Sequence, residues 1–101
     1  MDRLTVADDR LRLVLSTLAN PHRMRVVAAL TEHRDYVSHL ARELGISRAL
    51  LQVHLRKLED AGYIEIDKSF LNRKPLTRAR LTPTGRAAFA AYLEAIAKLV
   101  G

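Results

Sequence analysis

The chain has 101 residues, 49% of them apolar, which suits one folded domain over residues 1–101 and excludes a disordered tail. Its 17 Lys and Arg residues against 11 Asp and Glu give a net charge of +6, which favours a polyanionic partner, with nucleic acid first and an anionic membrane second. The absence of cysteine excludes disulfides, thiol nucleophiles and thiolate metal ligands.

The first half of the chain predicts two helices. Apolar residues at helical spacing place the first helix from Leu4 to Ala19. Asn20 and Pro21 end it, and the same pair suits the start of a second helix, as its cap and first residue. This second helix is expected to reach Glu32, with three residues directed inward: Met24, Val27 and Leu30.

A helix-turn-helix is predicted next. After a short extended stretch at residues 36–37, a third helix is expected to begin at the cap Ser38 and to end at Gly45, where glycine tolerates the left-handed conformation best. Ser47 then caps a fourth helix that runs to Ala61. Two helices joined by a tight glycine turn of about three residues are typical of this motif.

The last part of the chain predicts a β-hairpin and a fifth helix. Alternating residues indicate a strand over residues 63–70, a turn over 71–76 that contains a proline, and a returning strand over 77–81. Thr82 and Pro83 then begin a helix to the C-terminus. The expected fold is mainly α with a small β-hairpin (α+β): five helices plus a two- or three-stranded wing sheet.

Three segments in this order carry a resemblance to a family: NPHRMRVV at 20–27, LARELGISRALLQVHLRKLEDAGYIE at 40–65 and RLTPTGR at 80–86. With them the chain resembles the winged helix-turn-helix transcription regulators of the ArsR/MarR-like kind, small single-domain type. The resemblance covers about residues 15–92. It implies a winged helix-turn-helix fold and a role in DNA binding.

The fourth helix, residues 47–61, is the predicted recognition helix. At 100° per residue, Leu51, Leu55 and Leu58 form one stripe that we expect to be buried, with His54 at its edge. A solvated face is the alternative interpretation of the opposite side, but such a face would more often carry Glu and Lys. We therefore predict that this helix enters the major groove and contacts DNA through Ser47, Arg48, Ala49, Gln52, Val53 and Arg56.

The hairpin, or wing (residues 68–80), is predicted to contact the DNA backbone and minor groove. No acidic residue occurs from Lys68 to Arg86, whereas a generic solvated hairpin would carry charges of both signs. One of Arg78 and Arg80 can instead serve the fold by pairing with Asp67 or Glu65 across the hairpin. The predicted contacts are Lys68, Arg73, Lys74 and Arg78, with Arg73 and Lys74 at the tip near the minor groove.

The terminal helices carry more apolar surface than one small domain can cover, so we expect a homodimer with a two-fold interface. A dimer would also hold two recognition helices about one duplex turn apart. The alternative, that the first helix folds back on the fifth helix of its own chain, is compatible with this. The interface is predicted to contain Leu4, Leu11, Leu15, Phe89, Tyr92, Leu93, Ile96 and Leu99.

Several chemistries are not expected. The four histidines His22, His33, His39 and His54 lack zinc-ligand spacing, so no metal site is predicted. There is no phosphate-binding glycine loop, nucleophile motif or carboxylate dyad, and hence no enzyme, catalytic residue or cofactor.

Membrane insertion is also not expected. No apolar run approaches the ~20 residues of a membrane span, and the first fifteen residues mix acids and arginines among their apolar positions, unlike a signal peptide. A cytoplasmic location follows.

The sequence therefore predicts a homodimeric regulator, a repressor in the simplest case, that binds double-stranded DNA with sequence specificity. Two alternatives remain open: a winged-helix module for protein–protein interaction, and a nucleoid-type DNA binder without sequence preference. A domain that binds structured RNA through the same surface is a further alternative. A small-molecule effector would have to bind between the DNA-binding core and the terminal helices.

Overall fold

A computed structural model of the chain describes residues 6–32 and 36–100, and it contains five helices and one two-stranded antiparallel sheet. The elements in chain order are α1 (Val6–Leu18), α2 (Pro21–Thr31), α3 (Val37–Leu44), α4 (Arg48–Asp60), β1 (Ile64–Leu71), β2 (Lys74–Leu81) and α5 (Pro83–Val100). The predicted fold class is confirmed.

Local signals set most helix ends where the sequence predicts them. The Asn20 side chain accepts hydrogen bonds from the backbone N–H groups of His22 and Arg23 at 2.9 and 3.2 Å, which caps α2. Gly45 ends α3 at φ 68°, and Ser47 Oγ accepts from the Leu50 N–H at 3.0 Å to cap α4. The helix-turn-helix is thus held by its own caps.

The predicted N-cap of α3 is wrong by two residues. Ser38 is not the cap: α3 begins at Val37, and Tyr36 is its N-cap without a side-chain cap hydrogen bond. Val37 is completely buried, so packing draws it into the first turn. Tyr36 is extended and forms an isolated β-bridge with Arg78, which supplies the rudiment of a third strand beside the two-stranded sheet.

The predicted turn over residues 71–76 is also wrong, because the hairpin turn consists of Asn72 and Arg73 alone. Both have positive φ values, 52° and 67°, and a two-residue turn of this kind matches the natural twist of the paired strands. Pro75 lies in β2, opposite Phe70. Proline is tolerated there because both strands of a two-stranded sheet are edge strands.

The core gathers residues from every element. The predicted stripe of α4 is buried, and so are Val27 and Leu30 of α2. Met24 is only half-buried, whereas Val26, which was not predicted, is completely buried. α1 packs against α5 of the same chain, as the sequence allowed. The largest fully buried side chains are Leu18, Leu40, Leu51, Leu55, Leu58, Ile64, Val26, Val27 and Val37. No helix of the described ranges is long and apolar enough to cross a membrane.

A tight junction connects α5 to the hairpin. Thr82 Oγ1 accepts from the Gly85 N–H at 2.9 Å and donates to the Gly62 carbonyl at 2.6 Å, while the Thr82 N–H donates to the Tyr63 carbonyl at 3.0 Å. A Cβ at Gly85 would overlap the Tyr63 carbonyl, so only glycine fits here. This junction fixes the wing relative to α5.

Candidate nucleic-acid interface

The outer face of α4 is exposed over its whole length. Leu51, Leu55 and Leu58 are at most 2% exposed, whereas Val53, on the other side, is 51% exposed. Gln52 and Arg56, one turn apart, are also exposed and point away from the core stripe. The structure therefore brings together on one accessible surface the residues predicted on this helix: Ser47, Arg48, Ala49, Gln52, Val53 and Arg56.

A groove of about 360 Å³ joins this face to the wing. It is lined by Gln52 and Arg56 of α4 and by Ile66 and Lys68 of β1, with Leu55 and Glu59 completing its walls. α4 and the base of the wing thus form one continuous surface.

The wing cations divide into two sets. Lys68, Arg73 and Lys74 are exposed. Arg80 lies 3.9 Å from the carboxylate of Glu65, its cross-strand neighbour. The pairing across the hairpin that the sequence allows for Arg78 or Arg80 is therefore observed at Arg80. The chain has no carboxylate between Lys68 and Arg86, so the outer wing is uniformly cationic.

Arg78 has a position that the sequence did not indicate. It is half-buried, and its guanidinium lies 5.4 Å from the centre of the Tyr36 ring, the residue with which it also forms the isolated β-bridge. A cation over an aromatic face is attracted by the ring quadrupole. Arg78 therefore contributes to the attachment of the wing to α3, whatever it contacts outside the protein.

A cluster of cationic and imidazole groups lies behind α4. His54 is 6% exposed, its ring centre lies 5.3 Å from that of His22, and its Nδ1 is 3.4 Å from Arg23 Nη1. Burial, and then the charges of Arg23, His22 and Lys57, lower the pKa of His54, so the ring is neutral near neutral pH. His54 is thus buried at the edge of the leucine stripe, where the sequence predicts it.

The partners of His54 could not be read from the sequence, because they lie about 30 positions away on another helix.

The described ranges contain no group of three or more His, Asp or Glu side chains placed to hold a metal ion.

The predicted dimer residues occupy three kinds of position. Phe89, Tyr92 and Leu15 are half-buried, and the first two pack against the core of their own chain. Leu4 and the side chain of Leu11 lie outside the described residues. The exposed members are Leu93 (49%), Ile96 (38%) and Leu99 (82%).

The fold and this surface define a winged helix-turn-helix DNA-binding module. Residues 22–100 match the family of winged helix DNA-binding domains, and the chain belongs to that family.

Several proteins similar to this chain are described as transcriptional regulators. An uncharacterized HTH-type transcriptional regulator of Methanocaldococcus jannaschii is 42% identical over 50 residues, which cover 50% of this chain and 53% of that protein. This chain therefore spans about half the length of that relative.

Two solved structures extend the similarity over most of the fold. One, from Enterococcus faecalis and assigned to the MarR family of transcriptional regulators, has a TM-score of 0.78 at 25% identity and covers 97% of this chain and 88% of its own. The other, described as a "possible transcriptional regulator for arsenical resistance", has a TM-score of 0.62 at 31% identity and covers 82% of each chain. The resemblance to ArsR/MarR-like winged helix regulators is confirmed, and such regulators are not enzymes.

Proposed function

We propose that the protein is a homodimeric transcriptional regulator that binds double-stranded DNA with sequence specificity and acts as a repressor. The observation that carries the proposal is the single exposed surface made by the outer face of α4 and the cationic wing, joined by the groove that Gln52, Arg56 and Lys68 line.

In this proposal α4 enters the major groove. Arg56 can donate two hydrogen bonds to a guanine, and the Gln52 amide can pair with the edge of an adenine. Ala49 and Val53 offer small apolar groups to a thymine methyl. The buried leucine stripe on the far side keeps the helix docked on the domain while its outer face meets the bases.

The wing would contact the backbone on the flank of the site. Lys68, Arg73 and Lys74 are exposed, and no carboxylate occurs in the sequence from Lys68 to Arg86, so these cations are available to phosphates. Such contacts raise affinity for every sequence and make it depend on salt.

Dimerisation is inferred from α5. The C-terminal half of α5 has four exposed apolar side chains: Leu93, Ile96, Leu99 and Val100. A helix that faced only water would usually carry charged or polar side chains there. Two copies could bury these side chains against each other, and the pair of recognition helices would then read a palindrome.

Repression requires only that the bound dimer obstructs polymerase, and it needs no activation domain. A small-molecule effector, if one acts, would bind in the largely apolar groove of about 490 Å³ that Leu13, Val14, Tyr63, Ala88 and Ala91 help to line between α1 and α5. The proposed place of action is the cytoplasm.

The salt dependence of DNA binding tests the wing. Lys74→Ala should lower the affinity for all DNA and reduce the slope of log affinity against log salt by about 0.9 per lost phosphate contact. Lys98→Ala is the control, because Lys98 is also an exposed lysine but lies in the last turn of α5, where it pairs with Glu94.

The same titration separates the alternatives. If the slopes of log affinity against log salt were equal for Lys74→Ala and Lys98→Ala, the wing would not contact DNA. A wild-type protein that shows no salt-dependent DNA shift would instead be a protein–protein interaction module. Equal affinity for selected and random duplexes would make it a nucleoid-type binder, and preference for structured RNA in competition would make it an RNA-binding domain.

A further inference from the structure

The wing carries an aromatic side chain that packing does not explain. Phe70, near the end of β1, is 75% exposed, and it is the most exposed aromatic residue of the described ranges. Burying an aromatic ring is among the larger favourable terms available to a side chain, so its display at a hairpin tip points to a contact outside the chain.

Strand register places Phe70 on the side of the wing that faces α4. Side chains two apart along a strand share a face, so Phe70 lies on the face of Ile66 and Lys68, which line the groove beside Gln52 and Arg56. Its cross-strand partner on that face is Pro75. Phe70 and Pro75 therefore form an apolar pair roughly 7 Å beyond Lys68, from the rise of two strand residues.

Charge indicates which partner this pair meets. Lys68 lies on the same face, two residues before Phe70, and the exposed Arg73 lies in the turn next to the pair; no carboxylate occurs from Lys68 to Arg86. An apolar surface of another protein would not complement these cations. DNA does, because its phosphates border the grooves and the flat faces of its stacked bases are apolar. The pair is also continuous with the surface proposed for base contacts.

We propose that Phe70, with Pro75 beside it, is an apolar wedge that enters the minor groove at the flank of the binding site and partly unstacks one base step. Phe and Pro are among the side chains that act in this way in minor-groove proteins, and they bend the duplex toward the major groove. This inference rests on the proposed function, since it requires α4 to hold the DNA.

The wedge adds a source of specificity without hydrogen bonds to bases. Pyrimidine–purine steps such as TA and CA unstack most easily, so the protein should prefer them at the position that Phe70 reaches. That position lies outside the bases contacted by α4, in the flank on which the wing lies.

The test compares Phe70→Ala with Leu71→Ala. Leu71 is the adjacent residue, 60% exposed but on the opposite face of β1, and neither change removes core packing. The probe is a duplex with the highest-affinity site recovered by selection, with 2-aminopurine placed in turn at each flanking step to report unstacking. Energy transfer between dyes on the duplex ends reports the bend.

Wild-type protein should raise 2-aminopurine fluorescence several-fold at one step in each flank and bend the duplex by at least about 20°. Phe70→Ala should abolish both signals and lower affinity about ten-fold while the footprint of α4 persists, and Leu71→Ala should behave like wild type. Phe70→Leu should restore part of the bend.

Three outcomes would overturn the inference. The duplex bound by wild-type protein could stay straight and stacked, or Phe70→Ala could bend it equally; in both cases the proposed function would survive. Loss of the dimer, or of binding to anionic vesicles, in Phe70→Ala with the DNA bend intact would assign Phe70 to a protein or membrane contact. Absence of any specific DNA binding by the wild type would instead refute the proposed function itself.

Discussion

Replacing Gly85 by alanine perturbs the junction that positions the wing. A Cβ at this position would overlap the Tyr63 carbonyl oxygen and lie 2.8 Å from its carbonyl carbon. Both are backbone atoms, so no side-chain rotation relieves the overlap. The same Tyr63 oxygen accepts the Thr82 N–H at 3.0 Å, so a shift of α5 also weakens that hydrogen bond.

The size of the effect follows from these contacts. Carbon atoms in contact are about 3.5–4.0 Å apart, so the two backbones must separate by about 1 Å. Overpacking of this kind costs about 1–3 kcal/mol, and the weakened hydrogen bond about 1 kcal/mol. The better helix propensity of alanine offsets about 1 kcal/mol. We expect a net loss of about 2 kcal/mol, which lowers Tm by about 8–16 °C in a domain of this size.

Thermal unfolding followed by circular dichroism at one protein concentration measures this loss. Gly45→Ala is the control: Gly45 lies outside the junction and has φ 68° and open space around a Cβ, so only the left-handed conformation opposes alanine there, at about 1–2 kcal/mol. A Gly85→Ala protein with an unchanged or higher Tm, as helix propensity alone would give, would refute the account of the junction.

Three further predictions concern the wing turn, the buried histidine and the dimer. Arg73→Gly should raise stability by about 1 kcal/mol, because Arg73 has φ 67°, while DNA binding weakens; a lower Tm would contradict the strained turn. Because the pKa of His54 is lowered in the folded chain, unfolding becomes easier as the pH falls below about 6.5, where only the unfolded chain takes up the proton. His54→Leu should flatten this loss of stability between pH 7 and pH 5, and an unchanged slope would exclude His54 as its cause. Leu93→Glu should convert a dimer of twice 11.4 kDa into a monomer in sedimentation, and a persistent dimer would move the interface elsewhere.

Local chemistry explains which features could be predicted from the sequence. The Asn20 cap, the Gly45 turn and the Ser47 cap each depend on one residue and its immediate neighbours, and all three lie where they were predicted. The leucine stripe of α4 is equally local, because its period alone places it on one face. Together these features locate the candidate recognition surface.

The features that escaped prediction depend on tertiary contacts. Pro75 marks a turn in most sequences, but here the pairing with Phe70 extends the strand past it. Ser38 is a good cap by residue type, yet burial of Val37 moves the start of α3. The overlap that requires glycine at residue 85 involves Tyr63, 22 positions earlier, and no local pattern indicates it.

The central claim is that base preference resides in α4, and the ratio of affinities for selected and random duplexes tests it most directly. Gln52→Ala and Arg56→Ala should each lower that ratio by about 5- to 150-fold. This corresponds to a loss of about 1–3 kcal/mol of binding free energy for each bidentate contact with a base. Both side chains are exposed, so Tm should remain near wild type, whereas Leu55→Ala should lose about 2–5 kcal/mol of stability.

Arg12→Ala is the charge-matched control, since Arg12 is an exposed arginine on α1, outside the proposed surface. This change should reduce the affinities for selected and for random DNA only slightly and by the same factor. Gln52→Ala should spare binding to random DNA, because the side chain is neutral. A ratio that stays at the wild-type value in both α4 variants, with folding intact, would contradict the assignment of α4 as the recognition helix.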